Sequence, residues 1–495
     1  MTSVADLRTS IAALEDDVTL HTTNLRSAQR ELKRLQRQLK ETAAFDVLSL
    51  PPEVTAQIFL LCLPKALSPI ESMLSYNPER PTAPLLFMQI CTTWRNIALD
   101  TPKLWQSVAI CINPEKDAKE LLETWVARAT PYPVNLVLWA MSHSGDPPDC
   151  DAFLESLQQH SSRIGGLTLE FGPPEVALFN ATTFDWSALR TIDLAIEHHG
   201  RQDSTFVCLR DTPSLRSFML HTSSPSLFDI GWSALTELKT DLSIENCLEA
   251  LRLATTLTHA ELEFTIRSDR PDIDDVDRVT HPNLQHLKLV ECEIDEDEDE
   301  DEQTHALEFF IFPALRTLEI DDPSNLPQDI LASFLERSSH PPLERLTMET
   351  PLSGWVNPIE PFIGLKITSL ELEKPTRIFL STFFTALATN IAFLPELTTL
   401  SVVCRELDLF QGLNEIMLAA GRGIYKRYRR NESDTSPRGR PCAINSFRLV
   451  GDGTREEIFC WTTDAARKAV ADLRWLRKNT PFEVYVGTRK KQLLY

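Results

Sequence analysis

The sequence lacks the features that mark membrane and secreted proteins. Its 495 residues contain no apolar run near the roughly 18 residues that span a bilayer; the longest, such as 134–141, are far shorter. The N-terminus has neither the basic start nor the apolar core of a secretory signal peptide. We therefore expect a soluble protein of the cytoplasm, the nucleus or both, without a membrane partner.

Closely spaced cysteines are also missing. The chain has 10 cysteines, no two are closer than 18 positions, and no CxxC pair occurs. The usual spacings of zinc and thioredoxin sites are therefore absent, and the thiols suit a reducing compartment.

Motifs that carry catalysis are not found. The sequence contains no P-loop, no GxGxxG after a strand, no HExxH and no GxSxG. Its 11 histidines do not combine with acidic or cysteine neighbours at metal-binding spacings. We therefore predict a protein that is not an enzyme and has no cofactor and no metal site.

Positive charge is scarce overall but is concentrated at one end. There are 49 Lys and Arg against 71 Asp and Glu, a formal charge of −22. Residues 295–302 alone carry −8, whereas residues 421–495 carry +9. An acidic chain does not suit the phosphate backbone, so nucleic acid is not an expected partner.

Apolar residues in the first forty positions follow the heptad period of a coiled coil. Steps of three and four alternate without an intervening Gly or Pro. We predict one long helix over 1–44, which either forms a homodimer through 4–39 or packs its apolar stripe on its own chain. The stripe consists of Val4, Leu7, Ile11, Leu14, Val18, His21, Leu25, Ala28, Leu32, Leu35 and Leu39.

Residues 48–110 contain two helical patterns in a specific order. The first begins at Leu50-Pro51-Pro52-Glu53-Val54 and continues to Ile58 and Phe59. The second, predicted as one helix over 85–99, contains Cys91, Trp94, Arg95, Ile97 and Ala98. A proline-rich insertion at 64–84 separates the two halves.

This pattern resembles an F-box. The ending Thr101-Pro102-Lys103-Leu104-Trp105 matches the form common in mushroom-forming (basidiomycete) fungi. The resemblance implies a small all-α domain that binds a Skp-type adaptor and, through it, a cullin. The adaptor-binding residues that it implies are Leu50, Pro51, Val54, Ile58, Phe59, Leu63, Ile90, Trp94, Ile97, Leu104 and Trp105.

The rest of the chain repeats the template Leu-x-x-Leu-x-Leu. Eleven copies begin at Ile164 and end at Leu449, and most lie 20–31 residues apart. The copy at Leu235 is predicted to be out of register, because Thr240 stands where an aliphatic residue belongs. This is the signature of leucine-rich repeats, and it predicts an α/β solenoid with irregular repeats.

The alternate residues of these strands are predicted to form a concave, polar face. It leans acidic, which favours a basic protein target, although polar residues also simply keep a sheet soluble. The residues chosen as candidate substrate contacts are Asp193, Glu261, Glu263, Glu319, Arg345 and Glu371.

The predicted domains follow from these segments. After the helix at 1–44 come an F-box-like domain at 45–110, a linker or cap at 111–160, a solenoid at 161–450 and a C-terminal cap at 451–495. Within the solenoid, we predict an acidic loop at 291–305 and a basic loop at 421–440. The basic loop could be a nuclear address, a phosphate contact or a segment attracted to acidic parts of the chain.

The predicted function is substrate recognition in a Skp-cullin-F-box-type ubiquitin ligase. The F-box would dock the adaptor and the solenoid would bind a protein target. The alternative is an interaction scaffold outside ubiquitin ligation that uses the F-box-like helices to hold one partner.

Overall fold

The computed structural model describes residues 4–42, 47–64, 82–112, 118–140, 150–196, 205–221, 224–266, 278–293, 305–321, 328–349, 359–390, 392–433, 444–451 and 463–488. The chain divides into two compact units. The first contains the described residues up to 105, and the second contains those from 106 onward. In these segments, no helix combines the length and the apolar character needed to cross a bilayer.

The first unit begins with the predicted long helix. Helix α1 spans Val4–Thr42, which confirms a single uninterrupted helix. Threonine hydroxyls in this helix donate hydrogen bonds to backbone carbonyls one turn earlier. For example, the hydroxyl of Thr22 donates to the carbonyl of Val18 at 2.7 Å.

In the described residues of the first unit, α1 is followed by three short α-helices. Helix α2 covers Pro52–Leu61, α3 covers Leu85–Ile90 and α4 covers Thr92–Leu99. A 3₁₀ turn follows at Pro102–Trp105. The prediction of one helix over 85–99 is wrong, because Cys91 is extended (φ −159°, ψ 168°) and begins α4 as its N-cap, with its Sγ accepting from the N–H of Trp94.

The second unit is built on a parallel sheet of 14 strands, which makes the chain an α/β protein. Neighbouring strands in the sheet follow one another along the chain, apart from the short strands β8 and β10, which pair with each other. Each connection must therefore cross back on one side of the sheet. The strands are β1 (Ser107–Ile112), β2 (Val134–Ala140), β3 (Ile164–Phe171), β4 (Thr191–Ile196), β5 (Ser217–His221), β6 (Glu237–Leu242), β7 (His259–Ile266), β8 (Val279–Thr280), β9 (His286–Glu293), β10 (Phe310–Ile311), β11 (Thr317–Asp321), β12 (Arg345–Glu349), β13 (Ser369–Glu373), β14 (Thr399–Cys404), β15 (Ser446–Gly451) and β16 (Glu483–Thr488).

The leucine template places equivalent residues side by side. Leu318 pairs with Leu346, Leu346 pairs with Leu370, and Leu370 pairs with Leu400. All four are fully buried. Because strand side chains alternate, one face of the sheet is a continuous apolar layer and the other carries the polar residues.

Helices cover the apolar face. Phe171 on β3 packs against Phe179 with ring centroids 4.8 Å apart, and Phe447 on β15 packs against Phe384 at 6.2 Å. The helices of this unit are α5 (Ala118–Ala129), α6 (Asp151–His160), α7 (Pro173–Ala181), α8 (Ile244–Leu253), α9 (Gln328–Arg337), α10 (Arg377–Thr389), α11 (Glu406–Ser433) and α12 (Asp464–Asn479).

The copy of the template at Leu235 is in register after all. Thr240 pairs with Leu220 on one side and Leu262 on the other. It is buried and shares a hydrogen bond with Cys247 Sγ of α8, at 3.2 Å. The hydrogen bond satisfies the hydroxyl, so a threonine can occupy an aliphatic position.

The sheet begins earlier than the sequence predicts. Strand β1 starts at Ser107, inside the predicted F-box segment, and β2 lies in the predicted linker at 111–160. The two strands pair in parallel, and β2 pairs with β3. The described residues of the segment 111–160, which was predicted as a linker or a cap, therefore belong to the sheet unit.

The predicted basic loop is largely helical. Helix α11 continues through Gly421 and Gly423 to Ser433, and the remainder of 421–440 lies outside the described residues. Most of the proline-rich insertion and of the acidic segment 291–305 also lies outside them.

The C-terminal segment that the structure describes consists of a helix and a strand. Thr463 caps α12 by accepting the N–H of Ala466 at 3.2 Å. Strand β16 then adds to the sheet beside β15. The segment extends the same architecture to the end of the described chain.

Candidate functional site

The helices of the first unit pack around three aromatic rings. Phe59 of α2 stacks on Phe87 of α3, with ring centroids 4.1 Å apart and planes 8° apart. Trp94 of α4 meets Phe59 edge-on at 4.9 Å. Aromatic pairs in these arrangements add to the energy of burial, so this cluster fixes how the helices meet.

The end of the domain is held by Trp105. Its indole N–H donates to the carbonyl of Ala98 at 2.9 Å, and its side chain is completely buried together with Leu104. Arg95 connects α4 to α3, because its Nε donates a hydrogen bond to the carbonyl of Met88 at 2.8 Å.

Helix α2 has a second apolar face that points outward. Thr55 and Phe59 face the core, whereas Val54, Ile58 and Leu61 are 44%, 42% and 87% exposed. At 100° per residue, the exposed three fall on one stripe, about 100° or more from the position of Phe59.

Exposed apolar residues continue on the neighbouring segments. On α3, Leu85, Leu86 and Ile90 are 40%, 42% and 52% exposed, and before α2 Val47 and Leu48 are exposed as well. Contiguous apolar surface of this kind is rare on soluble monomers and marks interaction sites. We call Val54, Ile58 and Leu61 the outer face of α2.

The predicted adaptor-binding residues separate into three groups. Phe59, Leu104 and Trp105 are core residues, so the expectation that they contact a partner directly is corrected: their role is to support the surface. Of the other predicted residues, Pro51, Val54, Ile58 and Ile90 are exposed, and Leu50, Leu63, Trp94 and Ile97 are half-buried.

The sequence prediction missed three exposed apolar residues, Leu61, Leu85 and Leu86. The spacing of Leu61 from Val54 and Ile58 indicates the same helix face, so this residue could have been found.

The polar face of the sheet carries a row of alternating charges. Lys239, Glu261 and Lys288 occupy equivalent positions on β6, β7 and β9. The Glu261 carboxylate lies 2.9 Å from the Nζ of Lys239 and 2.6 Å from that of Lys288. Burial alone would raise the pKa of Glu261, but the hydrogen bonds and charges of the two lysines have the larger combined effect, and the pKa is lowered. The hydrogen bond to Glu261 in turn raises the pKa of Lys288.

A histidine of the adjacent row lies between one carboxylate of its own row, Asp241, and one of the first row, Asp193. His221 lies 3.2 Å from Asp193 and 3.7 Å from Asp241, measured between ring nitrogens and carboxylate oxygens. The hydrogen bond to Asp193 raises the pKa of His221, burial opposes it, and the charges of both aspartates add to the increase.

The predicted substrate contacts all lie on this polar face. Asp193, Glu261, Glu319 and Glu371 share one row through the register of the strands, and Glu263 and Arg345 flank it. The face is less acidic than the sequence suggests, because Asp193 and Glu261 are already paired. Near the N-terminal end of the sheet, the equivalent position on β2 is apolar and buried, since it is occupied by Val137.

Two histidines form part of a shallow depression in the same face. The rings of His259 and His286 stack with centroids 4.2 Å apart, and burial and the neighbouring His259 lower the pKa of His286. The depression has a volume of about 260 Å³ and is also lined by Lys239, Glu261 and Lys288. Within the segments that the structure covers, no three His, Cys, Asp or Glu side chains are placed to hold a metal ion.

Comparison with known proteins gives no family. No protein-family model matches this chain. No curated protein is significantly similar to it either. The outer face of α2 and the polar face of the sheet are therefore the features of the chain that indicate a function.

Proposed function

We propose that this chain is a substrate receptor of a Skp-cullin-F-box-type ubiquitin ligase. In this proposal, the first unit is an F-box that docks a Skp-type adaptor. The sheet unit is a leucine-rich-repeat solenoid that binds the protein to be modified.

The outer face of α2 is the observation that carries the proposal. Val54 and Ile58 belong to the sequence pattern that resembles an F-box, and they are exposed although they are large and aliphatic. A helix that presents such residues at i and i+4 suits an apolar groove on a partner. The aromatic cluster beneath gives this helix a fixed position, so little entropy is lost on binding.

The repeat assignment is supported by the pairing of the template residues. Successive copies place their leucines beside one another in a parallel sheet, and each copy buries its apolar side against its neighbours. Stacking of this kind is what a repeat needs, because a single copy cannot bury its apolar face alone.

The polar face is the proposed target-binding surface. Its shallow relief and mixed charges suit a protein surface. Glu319 and Glu371 make no ion pair with any residue that the structure describes, so they would favour basic side chains on the target. The paired residues, such as Glu261, would keep the face soluble and set the register of contacts.

Such a receptor acts by proximity. It would hold a target lysine near the ubiquitin carried by the cullin machinery, and the bond-forming chemistry would take place in the partners. Joining two binding surfaces in one chain raises the effective concentration of the target.

Capture of the intact chain from cells with its partners tests this proposal. We expect the wild-type protein to bring down the Skp-type adaptor and a cullin, and Val54→Asp/Ile58→Asp to bring down neither, because two carboxylates would be buried in the interface. Ile378→Asp is the matched control, since Ile378 is 79% exposed on α10 of the other unit. Adaptor without cullin, or no adaptor at all, would refute the ligase receptor, and the first of these results would support the scaffold instead.

A further inference from the structure

Helix α1 exposes its predicted apolar stripe between Leu7 and Leu35, where the structure describes the side chains. Each large apolar side chain of the stripe in this range is 49% exposed or more. The stripe therefore remains available for a partner outside the chain. The exposed fractions are Leu7 52%, Ile11 54%, Leu14 63%, Val18 64%, Leu25 59%, Leu32 57% and Leu35 49%.

The charges of α1 are divided between its two halves. Residues 4–23 carry one basic and four acidic side chains, a net of −3, and residues 24–42 carry six basic and two acidic, a net of +4. Two copies side by side in parallel would place like charges together. Two copies in antiparallel orientation would place each acidic half against a basic half.

We propose that two copies of this chain associate through an antiparallel coiled coil of α1. The register that overlaps the full helix Val4–Thr42 places residue n of one copy opposite residue 46−n of the other. This register is consistent with the heptads, because it pairs a positions with d positions in every layer. The contact is the same on both copies, as a twofold dimer requires.

The core layers of this arrangement are well matched in size. Leu14 meets Leu32 of the second copy, Ile11 meets Leu35, and Val18 meets the small Ala28. His21 meets Leu25 rather than a second histidine. In the parallel alternative, His21 would face His21 and Ala28 would face Ala28, which gives one polar layer and one poorly filled layer.

The flanks of the seam add attraction. On one side, Glu15 falls between Arg26 and Lys33 of the second copy. On the other, Asp17 faces Glu31, which already forms an ion pair with Arg34 of its own helix at 2.6 Å. Arg34 therefore offsets the one like-charged contact in the register.

In the antiparallel orientation, the short helices that follow α1 in one copy lie far from those of the other copy. A helix of 39 residues is about 58 Å long, and the C-terminal ends of an antiparallel pair lie at opposite ends of it. A dimer would then present its two outer faces of α2 far apart, so that two adaptors could bind without competing. The self-association itself does not rest on the proposed function.

Charge reversal in the full-length protein tests the orientation. Glu15→Lys/Asp16→Lys/Asp17→Lys should raise the dissociation constant of the dimer about tenfold or more, because the N-terminal half of each helix changes from −3 to +3 and then lies against the basic half of the second copy. A parallel dimer would be unaffected, since repulsion between acids is merely replaced by repulsion between lysines. Sedimentation equilibrium measures the constant, and Asp295→Lys/Asp297→Lys/Asp299→Lys is the control with the same change in net charge.

Zero-length cross-linking supplies a second readout. A carbodiimide should join Lys33 to Glu15 in the dimer. These residues lie about 27 Å apart along one helix, so such a link arises only between copies. The proposal is overturned if the wild-type protein is monomeric at all concentrations. It is also overturned if the triple variant associates as tightly as the wild type.

Discussion

At the scale of single residues, Arg427 shows how a basic cluster can serve the fold. The sequence places it within Lys426–Arg430, but the structure buries it. Its guanidinium donates to the carbonyls of Phe393 at 2.7 Å and Leu394 at 2.8 Å, just after α10 ends. Arg427 therefore supplies charged donors to two carbonyls after the end of α10, and the carbonyl of Leu394 also accepts the N–H of Leu397.

Arg427→Met should lower the free energy of unfolding by about 2–4 kcal/mol, because it removes the hydrogen bonds from a charged donor to the carbonyls of Phe393 and Leu394. Urea denaturation measures the loss. Lys426→Met is the matched control, since Lys426 is exposed and loses the same charge. Equal effects of the two substitutions would show that the charge, and not the buried hydrogen bonds, is responsible.

His221 should make stability depend on pH. The hydrogen bond to Asp193 raises its folded-state pKa above the usual 6.5. Protonation therefore favours the folded state: the contribution is complete below about pH 6.5 and is lost as the pH rises through the folded-state pKa.

We expect the difference in Tm between wild type and His221→Asn to be largest at acidic pH and to shrink as the pH rises. Asp193→Asn should flatten the wild-type pH dependence, because it removes the main partner of the imidazole. A difference in Tm that grows with pH would contradict the assignment.

Sequence reasoning identified apolar residues well but not the direction in which each one faces. Phe59 and Ile58 are adjacent and equally apolar, yet Phe59 is in the core and Ile58 is exposed. Helical spacing gives a stripe, and only the packing of α3 and α4 decides which stripe is buried. For the same reason Trp94, half-buried against Phe59 and Phe87, is a poor probe of binding, since its removal would also damage the core.

At the scale of elements, glycine explains the main error in the predicted fold. Gly421 and Gly423 suggest a loop by composition, but in α11 they allow close approach of neighbouring helices. A Cβ on Gly421 would lie 2.7 Å from the Cβ of Ala469 in α12, and one on Gly423 would lie 2.8 Å from the carbonyl oxygen of Phe384 in α10. The sequence does not reveal such contacts, because they are made with segments some forty residues away.

Gly423→Ala should therefore destabilise the protein by about 1–3 kcal/mol, as overpacking does. If Gly423 were unconstrained in its helix, replacing it by alanine would instead raise the free energy of unfolding by roughly 0.5–1 kcal/mol. Thermal unfolding distinguishes the two, with exposed Arg422→Ala as the control for a change in the same turn. A stabilised Gly423→Ala would show that α11 does not pack as described.

The strands were predicted more accurately than the connections between them. The template fixes the alternation of buried and polar residues, so Leu346, Leu370 and Leu400 could be assigned to the apolar face from sequence alone. Strands β1 and β2 were missed because Val108, Ile110, Leu136 and Leu138 do not complete the six-residue template, although they alternate in the same way.

At the scale of the whole molecule, the charge of −22 is organised rather than uniform. Opposite charges alternate along the row Lys239–Glu261–Lys288, and they are separated into halves along α1. The first pattern neutralises a face that would otherwise repel acidic partners, and the second favours one orientation of self-association. Net charge alone predicts neither property.

The proposed architecture assigns different surfaces to different partners. The outer face of α2 would hold an adaptor, and the polar face of the sheet would hold a target. Substitutions on one surface should therefore leave the other binding activity unchanged, because the affected side chains belong to separate units.

The affinity of the intact chain for a purified Skp-type adaptor tests the central claim most directly. In isothermal titration calorimetry, we expect wild type and Ile378→Asp to bind equally. Val54→Asp/Ile58→Asp should bind at least about tenfold more weakly, a loss of about 1.4 kcal/mol or more, while circular dichroism shows unchanged helix content. Equal binding by all three proteins, or no binding by the wild type, would contradict the account.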